Sequence, residues 1–341
     1  MTDPRYFRPN IRAMQGYAPG EQPRDKAYIK LNTNENPYPP SPNVFDAIAR
    51  EANDDLRLYP DPMATALRRK IGQVYGVPPE AVIAGQGGDD ILNLIVRACA
   101  GEGDGVASLF PSYTLYATLA AIQGARMIDV DSVEKLTDVD ATVYFVCNPN
   151  APTGLWTEMA ALDALAPELD GILVIDEAYA DFAGRTCIPL ATDHPNVIVV
   201  RSLSKSFSLA GMRLGCGISR PETVRQLDKV KESYNLDRIS QAVALAALDD
   251  LEHAERNCRR VVATRDRLKR ELDAMGIEHY PSQANFVFFR IADAAGLKRA
   301  LMDRGVLVRH LDLPGYEDYL RVSIGTDPEI DTFLEHLRAL V

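Results

Sequence analysis

The sequence predicts an α/β protein: a large domain with a mostly parallel sheet flanked by helices, a smaller C-terminal α/β domain and an N-terminal arm. Three observations predict this class. Short, near-continuous apolar runs alternate with helix-period segments from about residue 42 to 235, the pattern of strands buried on both faces of a sheet. The 341 residues suit two domains sharing a face rather than one small core. The polar clusters fall just beyond the apolar runs, where open α/β sheets bind ligands.

Taken in order, residues 1–40 are rich in proline, asparagine and charge and read as an extended arm, ordered by lying on another surface. Residues 41–240 form the large domain. Its helices include Leu67–Val74 and Ile91–Cys99, whose apolar positions recur at helical spacing. Val106–Phe110, Ala125–Val130, Thr142–Cys147, Ile172–Ile175, Val197–Val200 and Leu214–Ile218 read as buried strands. A single long helix from Ser240 to about Gly276, with alternating charges and a Leu/Val/Ala stripe, leads into the small domain, residues 241–341. There, Ala284–Arg290, Val306–Arg309 and Tyr319–Ser323 read as strands, and Leu297–Met302 and Ile330–Leu340 as helices.

Composition narrows the function. Lys and Arg total 37 against 48 acids, a formal net charge of -11, which argues against general binding to nucleic acid or acidic membranes. An anionic substrate stays open, because two or three arginines in a cleft reverse the local field. The five cysteines, Cys99, Cys147, Cys187, Cys216 and Cys258, have neither paired nor metal-ligand spacing; they read as reduced thiols in small core positions. The start of the chain lacks the basic segment and apolar run of a secretory leader, and no apolar stretch approaches the ~20 residues that span a bilayer. A cytoplasmic protein is expected.

Three successive strands deliver Asn148, Asp176 and Lys205 toward one sheet edge. Asp176 ends a buried run, where a carboxylate costs several kcal/mol unless it finds a cation or hydrogen-bond donors. It can cap the following turn; a metal role has no accompanying ligand cluster; the pyridinium nitrogen of pyridoxal phosphate, kept protonated by a carboxylate, fits it better. Lys205 follows a strand, lies between Ser204 and Ser206, and precedes a glycine-punctuated turn holding Arg213. A lysine so placed suits bonding to a carbonyl cofactor, provided that its surroundings lower its pKa.

Asn148-Pro-Asn-Ala-Pro-Thr-Gly154, Asp176-Glu-Ala-Tyr179, Ser202-Leu-Ser-Lys205 and Arg213 closely resemble the motifs of fold-type I pyridoxal-phosphate aminotransferases, in order and spacing, over essentially the whole chain. Leu31-Asn-Thr-Asn-Glu-Asn-Pro37, Tyr59-Pro-Asp-Pro62, Arg321-Val-Ser-Ile-Gly-Thr326 and Tyr17-Ala-Pro-Gly20 look like the histidinol-phosphate aminotransferase branch. The resemblance implies a role for each residue. Lys205 carries the cofactor as a Schiff base and shuttles the proton. Asp176 pairs with the pyridinium, Tyr179 and Asn148 bond the cofactor's phenolic oxygen, and Tyr113 stacks on its ring. Ser202, Ser204, Arg213 and the backbone N–H groups of Gly87, Gly88 and Asp89 hold its phosphate at a helix N-terminus. Asp89 and Asp90 are acids beside that anion, which requires their side chains to cap the helix or turn away; Asp90 stands where the family more often has Glu. Tyr59 reaches the cofactor phosphate of the other subunit, which implies a homodimer with shared active sites.

For the substrate, the resemblance implies that Arg321 binds a carboxylate and that Arg309 adds charge for a phosphorylated amine, with Tyr17 and Asn34 closing the arm over it. The implied reaction is transamination of histidinol phosphate with the 2-oxoglutarate/glutamate pair. An aromatic amino-acid aminotransferase and a phosphothreonine decarboxylase-like enzyme share these features. A regulatory effector-binding module on the same scaffold would bring an attached DNA-binding domain, for which the arm has no room.

Overall fold

The computed structural model describes residues 4–23 and 25–341; part of the leader reading falls on the first three residues, outside that set. In chain order its strands are β1 (Ile29–Lys30), β2 (Val82–Gly85), β3 (Gly105–Leu109), β4 (Arg126–Val130), β5 (Val143–Cys147), β6 (Ile172–Asp176), β7 (Val197–Ser202), β8 (Gly215–Ile218), β9 (Phe286–Arg290), β10 (Val306–Leu307), β11 (Arg309–His310) and β12 (Tyr319–Ser323). Seven of them form the main sheet in the order β2-β8-β7-β6-β5-β3-β4. Only β8 runs against its neighbours; the other ladders are parallel.

The central strands show why their sequences are apolar without alternation. Val143, Phe145, Val174, Ile198 and Val200 pack on one face with Ile91, Leu92 and Ile95 of the helix Gly88–Cys99. The intervening Tyr144, Val146, Leu173, Ile175, Val197 and Val199 pack on the other with Leu162, Leu165 and Leu190. Successive side chains point to opposite faces, so both sets must be apolar. Burying each Val, Ile or Leu contributes roughly 1.5–3 kcal/mol.

Several elements depart from the sequence reading. β2 is missing from it, being four residues long and ending in Ala84 and Gly85, too short a run to separate from a turn. β4 is an edge strand with Arg126 and Asp129 exposed, not a buried one. The expected single helix after Ser240 is two, Arg238–Leu248 and Leu251–Ala274. The break falls at Asp249-Asp250, where the Asp250 carboxylate accepts from the His253 N–H and starts a new helix. The expected strand Val306–Arg309 is divided at Val308. β10 pairs in parallel with β1 of the arm, while β11 joins β12 and β9 in an antiparallel sheet.

The arm lies on other surfaces, as its composition requires. The Asn10 amide donates to the carbonyl of Ala121 at 2.8 Å. Leu31 N–H donates to Leu307, and Ser323 N–H donates to Leu31, each at 2.9 Å. The arm therefore bridges the main sheet's outer helix and the C-terminal sheet.

Candidate active site

A cavity of about 510 Å³ opens beyond the carboxyl ends of β5, β6 and β7, between the main sheet, the arm and the C-terminal sheet. Cys147, Asp176 and Val200 lie side by side in register on these strands. The chain running on from β7 brings Lys205 to the floor. Its Nζ donates to the carbonyl of Thr33 at 3.2 Å and lies 5.9 Å above the Tyr179 ring. Burial, aided by the charge of Arg321, lowers the Lys205 pKa to about 8, so a useful fraction of the amine is neutral near physiological pH.

Asp176 is buried, and burial pushes its pKa up to about 6 against hydrogen bonds from Tyr116 and Ala178. The Tyr116 hydroxyl donates to Oδ2 at 2.9 Å and the Ala178 N–H to Oδ1 at 3.2 Å. Among the described residues, no Lys, Arg or His forms an ion pair with it. The Tyr179 hydroxyl accepts from Asn34 Nδ2 at 3.0 Å. Asn34 is itself fixed in the left-handed region, φ 57°, with its N–H and Oδ1 bonded to the Ser323 hydroxyl.

Helix Gly88–Cys99 points its N-terminus at the cavity, and Gly88 and Asp89 line it. Gly87 precedes them with φ 87°; a Cβ there would lie 2.8 Å from Arg213 Nη2. Gly215 is equally constrained, since its Cβ would meet the Gly87 carbonyl carbon at 2.5 Å. Glycine is required at 87 by its positive φ and at 215 by the close approach of the helix-start backbone. Ser202 and Ser204 complete the lining. The two acids behave differently. Asp90 turns back to the preceding turn, accepting from the Gln86 N–H at 2.9 Å. Asp89 neither caps nor turns away: it accepts from Arg213 Nη2 at 3.1 Å and from the Tyr113 hydroxyl at 3.2 Å.

The rim carries Tyr17, Arg309 and Arg321. Tyr17 meets Tyr113 edge-on, with ring centroids 5.9 Å apart. Arg309 and Arg321 face each other directly across β11 and β12, a like-charge pairing that disfavours the sheet unless an anion lies between them. Arg321 donates to the Asn32 carbonyl at 3.3 Å, and its Nε is buried without a partner. Burial and the charge of Arg309 lower its pKa. Arg309 donates to the carbonyls of Pro19 and Ala18 at 3.1 and 2.9 Å.

One residue expected in this cleft lies elsewhere, and Tyr59, expected at the partner's cofactor, lies outside it. The Asn148 side chain is fully buried and turned from the cavity: Nδ2 donates to the Thr157 carbonyl at 3.0 Å and Oδ1 accepts from the Thr157 N–H at 2.8 Å. Its amide organises the following loop, because a buried carboxamide takes the nearest backbone partners. Tyr59 is 79% exposed and stacks on Tyr234 outside this chain's cleft. Conversely, the sequence reading missed Tyr116, Thr33 and Asn36. Tyr116 follows Tyr113 by three residues at a helix start, a spacing that signals a shared face. The Asn36 amide donates to the Lys205 carbonyl at 3.0 Å, whereas Thr33 acts through its backbone and leaves no signal in sequence.

These residues fit pyridoxal phosphate. The buried carboxylate matches a ring cation, the depressed lysine matches a carbonyl carbon, and the glycine-made helix start matches a phosphate, for which Arg213 would exchange its Asp89 partner. A larger cavity, about 760 Å³ and mostly apolar, lies around Phe182, Phe207 and Cys258. Its buried Arg201 is already matched by Glu177 at 2.9 Å and by Asp181, and it holds no comparable grouping. Among the described residues, no cluster of His, Cys, Asp or Glu is placed to hold a metal, and no helix is long and apolar enough to cross a membrane.

Comparison with known proteins agrees with this geometry. The family model for aminotransferase class I and II matches residues 26–337. A histidinol-phosphate aminotransferase of Geotalea uraniireducens (strain Rf4) is 45% identical over 343 aligned residues, covering 98% of this chain and 99% of the relative. One of Geotalea daltonii is 46% identical over 334, covering 95% and 96%. The crystal structure of histidinol-phosphate aminotransferase from Sinorhizobium meliloti, in complex with pyridoxal-5'-phosphate, superposes with a TM-score of 0.88 at 28% identity, covering 98% of each chain. Sheet order, cleft chemistry and full-length similarity converge: the chain belongs to the class I and II aminotransferases, in their histidinol-phosphate aminotransferase branch.

Proposed function

We propose that the protein is a pyridoxal-phosphate-dependent aminotransferase that exchanges the amino group of L-histidinol phosphate with the 2-oxoglutarate/glutamate pair, in histidine biosynthesis. The observation that carries the substrate is the opposed pair Arg309 and Arg321 on the cleft rim. Arginines opposed in register repel each other, a dianion between them would offset that repulsion, and both suit forked binding of phosphate or carboxylate. Nearly the same charge serves a phosphorylated amine in one half-reaction and a dicarboxylate in the other.

Bound pyridoxal phosphate supplies an electrophilic carbon and an electron sink that weakens the bonds at the substrate's amine-bearing carbon. With the cofactor bound, Lys205 Nζ, its pKa lowered to about 8 by burial, would move the proton of the substrate's amine-bearing carbon. Asp176 would hold a positive charge on the ring nitrogen. Tyr179, oriented by Asn34, would donate at the phenolic edge. Ser202, Ser204, Arg213 and the first amides of helix Gly88–Cys99 hold the phosphate. Tyr113 covers a ring face, and Tyr17 closes from the arm.

The exposed Tyr59 fits a cytoplasmic homodimer in which this residue reaches the partner's cofactor phosphate. Leu56, Leu58 and Met63 are exposed beside it, an apolar surface suited to a second copy.

The test is a panel of half-reactions on the purified protein, following the spectral conversion of the cofactor with histidinol phosphate, phenylalanine, tyrosine and glutamate. Histidinol phosphate and glutamate should convert it fastest. Faster conversion by phenylalanine than by histidinol phosphate would replace this substrate with the aromatic amino acids, and decarboxylation of a phosphorylated amino acid would replace the reaction class.

A further inference from the structure

We propose that Tyr116 is a positioning residue for this reaction: its hydroxyl holds the Asp176 carboxylate ionised and aimed at the cofactor's ring nitrogen. The inference rests on the reading of the cleft as a pyridoxal-phosphate site. Tyr116 does not line the cavity; it lies behind Asp176. It is fully buried, stacked on Phe145 with centroids 4.2 Å apart and planes 4° from parallel, and met edge-on by Tyr113 at 5.6 Å. A phenol this deep needs a partner, and its partner is Asp176 Oδ2 at 2.9 Å. The Ala178 N–H holds the other oxygen. One donor on each oxygen fixes the plane of the carboxylate.

The surroundings show why a donor matters. Asp89 approaches from the helix Gly88–Cys99 and Glu177 follows in the chain, and both disfavour a second negative charge. Cys147 faces Asp176 from β5 and Tyr179 from the loop beyond β6, and both are held neutral by burial. The Tyr116 hydroxyl and the Ala178 N–H oppose burial and the two acids. Without the phenol the balance moves toward a neutral carboxyl, which cannot hold a positive charge on a ring nitrogen. Tyr113 and Tyr116, three residues apart at one helix start, thus divide two tasks: the first covers the ring and the second sets its counter-ion.

The test uses holoenzyme carrying cofactor labelled with ¹⁵N at the ring nitrogen. In Tyr116→Phe, which keeps the stack on Phe145, the ring-nitrogen resonance should move toward its unprotonated position. The kcat should fall about tenfold, the effect of one lost hydrogen bond to a charged group, with KM changed less than about twofold. In an Asp176→Asn background the same substitution should cause no further fall. Phe145→Leu, which disturbs packing but spares the hydroxyl, should leave the resonance in place. An unmoved resonance in Tyr116→Phe, or an equal shift in Phe145→Leu, overturns the inference. Failure of the unsubstituted protein to take up the labelled cofactor overturns the site reading together with it.

Discussion

The cleft floor takes Asp176 and Lys205 from the ends of two hydrogen-bonded strands, β6 and β7, whereas its rim joins the arm to Arg309, 290 residues beyond Pro19. On the floor, Asp176 is held by the Tyr116 hydroxyl and the Ala178 N–H, one on each oxygen, and Lys205 by the Thr33 carbonyl and the Asn36 amide. At the rim, the arginines bond only carbonyls, of Ala18, Pro19 and Asn32, partners that an anion can displace. A carboxylate held on both oxygens suits chemistry that needs fixed geometry, and an exchangeable rim suits a site that must admit two different substrates in turn.

The difference makes predictions that can be ranked by size. Lys205→Ala should abolish transamination, at least about a thousandfold in kcat, and remove the covalent cofactor absorbance; turnover left intact would break the assignment of the floor. Asp176→Asn should lower kcat by about a hundredfold. At the rim the effect should fall on binding instead. Arg309→Met is expected to raise KM for histidinol phosphate by about tenfold or more while the cofactor-free protein melts no lower, because removing one of two facing charges relieves their repulsion. A lowered kcat with unchanged KM would erase the distinction between floor and rim.

Protonation offers a finer probe of the floor in cofactor-free protein. Asp176 moves from an ordinary 3.8 up to about 6, so the folded state binds more protons between these values. Its contribution is present below about pH 4 and is lost as pH rises through 6. Lys205 moves from 10.5 down to about 8, so its contribution is present above 10.5 and is lost as pH falls through 8. Asp176→Asn and Lys205→Met should each flatten the stability–pH curve in its own window, measured by denaturant unfolding. The smallest effect tests Asn148: Asn148→Ala should cost about 1–3 kcal/mol of stability through the unpaired Thr157 backbone, leaving the cofactor spectrum unaltered.

The floor was legible in the sequence because strand, turn and functional residue are contiguous there. Cys147-Asn148, Ile175-Asp176 and Val200 through Lys205 each announce a strand end followed by chemistry. Even so, the reading sent Asn148 to the cofactor. Sequence shows that an amide is near the strand end but not that Thr157 claims it. It also required Asp89 to cap the helix or turn away, whereas the structure turns it onto Arg213 and Tyr113. Capping chemistry hidden in an apolar stripe explains the helix break at Asp250.

The sequence by itself determined the class of fold, the lysine and the carboxylate that follow two strand ends, and the glycine-led helix start, because each signal is written in one contiguous stretch of chain. Tertiary structure alone decided that Arg309 stands opposite Arg321, that Thr33 and Asn36 of the arm hold Lys205, and that Tyr116 holds Asp176. Those contacts join segments far apart in the chain, and they exist only once burial forces every polar group in the cleft to choose a partner.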